Sequence, residues 1–246
     1  RCTNLASKVL SMVLSRLPDD WEARYGIPPL LVETFVDRSR FTGLCFAAAN
    51  WMRLGTSSGR GRLGPKTPMT TPKDIWVYGL SSDARQRLQE ELPKPVTPCS
   101  LLEGLEAGDW CAHELDGLAL GDVRRDRRAE LILAARWKDP TASFSGSFPD
   151  WGQAKAAYGL IEQKTSEISM ETLLEPHVEA TIARMAVEPL VLLPQDTTSL
   201  NYTGLRKTSG LGVINHEGSR GLFLHSLLAY RPDGIPLGVL DAQAWG

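Results

Sequence analysis

LVLLPQDTTSLNYTG, Leu190 to Gly204, is the stretch on which the fold of the chain's second half turns. An apolar run reaches Pro194, then Asp196, then three hydroxyl residues, Thr197, Thr198 and Ser199. A short run of continuous apolar residues bounded by polar ones reads as a strand covered on both faces, and such strands are central in their sheet. The expectation is a buried central strand that delivers the Asp196 carboxylate to its end. Downstream, GLFLHSLLAY and GIPLGVLDAQAW flank RPDG, where Pro presets one dihedral, Asp bonds the local backbone and Gly accepts positive φ, so a tight hairpin follows.

Upstream the pattern is helical. MAVEP closes a helix whose start is placed at Pro176, in its first turn. SFPDWGQAKAAYGLIEQ predicts a helix capped by Asp150, with Ala154, Ala157, Tyr158 and Ile161 on its inner face. LGDVRRDRRAELILAARW predicts another, capped by Asp122, with Ala129, Ile132, Leu133 and Trp137 as its apolar positions. The first turn of that helix is unusual. Arg124, Arg125, Arg127 and Arg128 sit where the positive end of the helix dipole disfavours cations, by about 0.3–1 kcal/mol each if exposed. A phosphate would offset this, because the free N–H groups of a helix start and several guanidinium groups favour the same anion. Arg124 and Arg128 are four apart, and Arg125 and Arg128 three, so these three are candidate phosphate contacts sharing a face. The other reading leaves the arginines neutralised by Asp122, Asp126 and Glu130 on a solvated surface, and the sequence does not choose between the two.

The chain's first region is predicted to be α/β. Leu5, Val9, Met12, Val13 and Leu17 recur at helical spacing, and the helix is expected to stop at Pro18-Asp19-Asp20. PPLLVETFVD and DIWVYGL read as strands, with FTGLCFAAANWMRL between them as an apolar helix. A Gly, Ser and Pro loop carrying Arg60 and Arg62 precedes the second strand, and LPKPVTPCS, with three prolines in nine residues, marks a linker.

Composition bounds what these pieces can do. At 246 residues, 42% hydrophobic and 23% charged, the chain can build one or two domains with real cores. A formal net charge of -2 excludes an overall basic nucleic-acid binder, so phosphate contact must come from a local cluster. Four scattered cysteines, with no pair at metal-clip spacing, suit structural thiols in a reducing cytosol. No stretch approaches the roughly 18 apolar residues of a membrane span, and no signal-peptide pattern opens the chain, so a cytoplasmic protein without a membrane partner is expected. Cys111 and His113 stand two apart, yet nothing completes a zinc set with them or with His177, His216 or His225. His225, in an apolar strand, reads as a packed, hydrogen-bonded residue or as a neighbour of the site.

LGDVRRDRRAELI, QAKAAYGLIE, QDTTSLNYTGL, GLG and LFLHSLLAY, in this order, resemble the amino-terminal half of the insertion-sequence-four family of DDE transposases, over about residues 114–246. The resemblance implies a helical domain binding double-stranded DNA at transposon terminal inverted repeats, then an RNase H-like core acting in a homodimeric synaptic complex. Asp196 matches the first catalytic carboxylate, a ligand of paired Mg²⁺ ions in the complete core, and Arg124, Arg125 and Arg128 fall where the family contacts end DNA. Without that resemblance Asp196 reads as a strand-end residue bonded to nearby N–H groups. The second Asp and the Glu lie farther along such proteins, so this chain is expected to be a fragment, inactive by itself in cutting or joining DNA. DDWEARYGIPPLLVETFVD, RFTGLCFAAANWMRLG, GRGR and KDIWVYGL resemble the carboxy-terminal part of the Druantia anti-phage protein A family, which implies a truncated acetyltransferase-like α/β segment. The expected organisation is that segment at 1–92, a linker at 93–112, a helical DNA-binding domain at 113–187 and the start of an RNase H-like mixed sheet at 188–246. The expected function is a transposase fragment of a cut-and-paste bacterial mobile element; the alternative is a DNA-binding or defence-associated module in which Asp196 does no chemistry.

Overall fold

A computed structural model describes residues 3–59, 71–90, 110–163, 165, 167–205 and 207–246. The chain divides into two compact units, Arg1–Leu92 and Pro93–Gly246, each mixing helix and sheet. Arg60, Arg62, GRGR and the LPKPVTPCS linker lie outside the described residues.

In the first unit, helix α1 (Leu5–Tyr25) runs through Pro18 instead of stopping there. Proline inside a helix removes one backbone donor, but the turns beyond it are held: Tyr25 is buried, Trp21 packs on it at 4.6 Å between ring centroids, and Gly26, at φ 69, closes the end by donating to the Glu22 carbonyl. The buried face also differs from the expected one. Leu10 and Leu14 join the core, whereas Leu5, Val9, Met12 and Val13 are exposed. Strand β1 (Leu31–Asp37) follows. The apolar segment after it gives only a five-residue helix α2 (Leu44–Ala48), because Asn50 turns the chain at φ 63 into strand β2 (Met52–Thr56). Strand β3 (Lys73–Gly79) lies between β1 and β2, antiparallel to both, and helix α3 (Ala84–Gln89) follows. Val36, Trp51 and Trp76 close the core with Leu14, and Asp74 is ion-paired to Arg53 at its edge.

The second unit starts with helix α4 (Trp110–Glu114), then α5 (Val123–Lys138), α6 (Trp151–Ile161) and α7 (Met170–Ala186). Asp122 and Asp150 cap α5 and α6 as expected, each accepting a backbone N–H. The inner face of α6 is Ala154, Ala157 and Leu160; Tyr158 and Ile161 turn outward. Helix α7 begins six residues before Pro176. Ser169 and Thr172 form a reciprocal capping box that fixes the start, and Pro176 is buried within the helix. Strand β4 (Gln195–Asn201) pairs with β6 (Arg220–Tyr230), which also pairs with the short β5 (Gly212–Val213) and with β7 (Pro236–Trp245), always antiparallel. The β6–β7 hairpin closes through Arg231 to Ile235 around Gly234 at φ 91.

A polar cluster ties helices to sheet. The Glu114 carboxylate receives both terminal nitrogens of Arg184, at 2.9 and 2.8 Å, and the Nδ1–H of His177. The tautomer follows from the other side of the ring, where Nε2 accepts the Val239 N–H at 2.8 Å. Arg184 Nε donates to the Leu237 carbonyl, and Thr181 donates to the His177 carbonyl while accepting from Arg184. One carboxylate on α4 thus joins α7 to β7. No helix among the described residues is long and apolar enough to cross a membrane.

Candidate nucleic-acid interface

The start of α5 is built by two aspartates with separate tasks. Asp122 accepts the Arg124 N–H at 2.9 Å and also receives the Arg124 guanidinium at 3.0 Å. Its carboxyl lies below the usual range, first because the Arg124 side chain donates to it and next because the Arg124 N–H does. Asp126 turns back to accept the Leu120 N–H at 2.8 Å. Neutralisation is therefore partial. Among the described residues Arg127 and Arg128 have neither an ion pair nor a hydrogen bond. Arg124, although paired, keeps 91% of its side chain in solvent.

Arg125 has a different environment. Its Nη1 donates to the Leu120 carbonyl at 2.9 Å and reaches Glu167 at 3.4 Å, and the side chain is only 27% exposed. With about 3.6 residues per turn, the exposed Arg124 and the half-buried Arg128 stand one turn apart on α5, whereas Arg125 lies toward the side of buried Ala129. The three arginines therefore do not present one surface.

Behind this face α5 is braced. Arg136 donates to the Ala142 and Pro140 carbonyls, each at 2.8 Å, and to Ser147 Oγ at 2.6 Å, fixing the connection from α5 to α6. Leu120, Ala129 and Leu160 form the core beneath, with Ile132 and Leu173 packed on it. The result is a braced helix start whose guanidinium groups reach toward solvent, while Asp122 already takes the N–H groups of Arg124, Arg125 and Asp126, so a phosphate there would be met by side chains.

Asp196 is on a different element. The apolar run ahead of it is not a buried central strand: Leu192 is exposed and only bridges Tyr230. Pro194 has no N–H to give a ladder, so the named strand starts at Gln195 and Asp196 is its second residue instead of its last. β4 pairs with β6 alone among the described strands. Asp196 lies opposite Ser226, is exposed, and accepts the Thr197 N–H at 2.9 Å. The neighbouring hydroxyls are engaged within the sheet: Thr197 Oγ1 is 2.8 Å from His225 Nδ1, as expected for a hydrogen-bonded His225, and Ser199 donates to Asn215. Among the described residues no group of three or more His, Cys, Asp or Glu side chains is placed to hold a metal ion. The residues around Asp196 therefore do not fit a magnesium pair.

Residues 107–165 match the family described as transposase DNA-binding. The chain carries a transposase DNA-binding domain. That domain takes in α4, α5 and α6, so the arginine-rich helix start lies within it, and the match supports DNA as a partner. The match ends before β4 and Asp196. Residues 1–69 match Druantia protein DruA, so a DruA domain precedes the transposase DNA-binding domain in one chain. No curated protein matches this chain. Sequence reasoning missed the Glu114 cluster, whose partners His177 and Arg184 lie 63 and 70 residues farther along the chain.

Proposed function

We propose that this chain is a transposase-derived DNA-binding protein that grips the terminal inverted repeats of a cut-and-paste mobile element through α5, two copies pairing two ends. What carries the reading is the α5 start within residues 107–165, where the exposed Arg124 and the half-buried Arg128, its side chain unpartnered among the described residues, stand one turn apart. Phosphate contacts position a protein on duplex DNA and make its affinity salt-dependent. Replacing Arg124 and Arg128 together by Gln should weaken binding to a labelled duplex and reduce the slope of log affinity against log salt by about 1.8, from about 0.9 per phosphate. An unchanged slope would remove α5 from the interface.

The resemblance assigns Asp196 the first metal-binding carboxylate of a DDE site, within an RNase H-like sheet begun by β4, β6 and β7. Among the described residues no second and third carboxylate stand with Asp196 to share a metal pair. The chain is expected to bind duplex DNA without cutting it when magnesium is supplied, and Asp196→Ala to bind as the parent does. Magnesium-dependent nicking that disappears in Asp196→Ala would show the catalytic reading to be right for this chain after all. The DruA match favours a second reading, a defence-associated DNA-binding module. Preference for transposon ends over a mixed-sequence duplex separates the first from the second.

A further inference from the structure

We infer that Arg127, and not Arg125, is the third side chain of α5 that contacts the DNA phosphates, and that Arg125 is a positioning residue that holds the helix start in place. The inference rests on the reading of α5 as a duplex-binding helix and names the face it uses.

The two arginines differ in availability. Arg125 packs its guanidinium over Gly121, whose backbone at φ 76 makes the turn into α5; a Cβ there would stand 3.6 Å from both Arg125 Nη1 and the Glu167 side chain. Together with its bonds to the Leu120 carbonyl and Glu167, this closes the turn before α5 onto the segment before α7. Reaching a phosphate would require Arg125 to abandon a carbonyl and a carboxylate. Arg127 has nothing to abandon. It is exposed, and its side chain has no ion pair or hydrogen bond among the described residues. At three residues beyond Arg124 it lies on the same solvent-facing arc, which continues to Lys138. A guanidinium that is already solvated and uncommitted gives up least on meeting a phosphate, and its fork matches two phosphate oxygens.

The test measures the full chain against a fluorescein-labelled mixed-sequence duplex by anisotropy over a range of NaCl concentrations, with thermal melting of each variant alongside. Arg127→Gln should melt like the parent, bind several-fold more weakly and lose about 0.9 from the salt slope. Arg127→Lys should restore the slope, since it restores the charge. Arg125→Gln should lower the melting temperature while its folded form keeps the parent slope, and Arg125→Lys should recover part of the melting temperature, because the single nitrogen that donates to both the Leu120 carbonyl and Glu167 can be imitated by an ammonium group. The inference is overturned if Arg127→Gln keeps the full slope while the Arg124 and Arg128 substitutions reduce it, or if Arg125→Gln loses slope without losing stability. If the Arg124 and Arg128 substitutions also leave the slope intact, the assignment of α5 to DNA fails first and takes the inference with it.

Discussion

Glu114→Ala should lower the stability of the second unit by roughly 3–5 kcal/mol, the usual cost of removing one partner from a buried ion pair, and its melting temperature by about 10 °C. The size follows from what is left behind. Arg184 would keep its place beside the Leu237 carbonyl with its counter-charge gone, and His177 would lose the acceptor for Nδ1–H while Nε2 remained committed to Val239. Glu114→Gln, which retains an acceptor but no charge, should fall between. The same cluster predicts an acid response. Burial by itself raises the Glu114 carboxyl, but hydrogen bonds from His177 and Arg184 and their charges outweigh it and bring it down from 4.5 to about 2. A carboxyl depressed on folding stabilises at pH above its unfolded value, and the contribution disappears as the pH falls through the folded one. Up to about 3 kcal/mol should therefore be present above about pH 4.5 and lost between there and about pH 2. Denaturant midpoints followed across that range should lose part of their slope in Glu114→Gln. A parent and variant that respond alike to acid, with equal midpoints at neutral pH, would show the cluster to be energetically silent.

Gly238→Ala should be of similar severity. Gly238 sits in β7 at φ 151, between the two register shifts of the β6–β7 ladder, and a Cβ there would stand 2.0 Å from Thr181 Oγ1 and 3.0 Å from Thr181 Cβ. Thr181 is fully buried and its hydroxyl is occupied in both directions, by the His177 carbonyl and by Arg184. Neither side can yield without breaking the cluster. Overpacking costs about 1–3 kcal/mol and the strained backbone about 1–3 more, so urea unfolding of the second unit should shift by roughly 3–5 kcal/mol. Since both substitutions disturb one set of contacts, the double variant should lose clearly less than the sum of the two. Additive losses would mean that Gly238 and Glu114 act on separate contacts, and an unchanged midpoint in Gly238→Ala would mean that β7 seats on α7 less closely than the distances require.

What the sequence reveals about this fold is what neighbouring residues settle among themselves. Asp122 and Asp150 cap helices because an oxygen one side chain away meets free N–H groups, and RPDG closes a hairpin through its own backbone bonds. Proline misleads for the opposite reason. Pro18 and Pro176 each remove one local donor, yet distant packing around Tyr25 and a capping box at Ser169 and Thr172 keep those helices continuous. At Pro194 one ladder donor is missing and the strand starts at Gln195, although the Pro194 carbonyl still accepts the Leu228 N–H and Leu192 still pairs with Tyr230. The arginines of α5 divide the same way. Their number and spacing were legible, but which of them faces solvent depends on Glu167, 42 residues from Arg125, and no periodicity contains that.

The Glu114 cluster also bears on how this DNA-binding segment can be moved between proteins. A piece cut at residues 107 and 165 would carry α4 with its carboxylate and leave His177, Arg184 and β7 behind. In any new host that anion would have to find other cations or become exposed. The boundary recognised by likeness of sequence and the boundary at which charges balance therefore fall in different places, and a transplant of this segment would need α7 and the β6–β7 hairpin to travel with it.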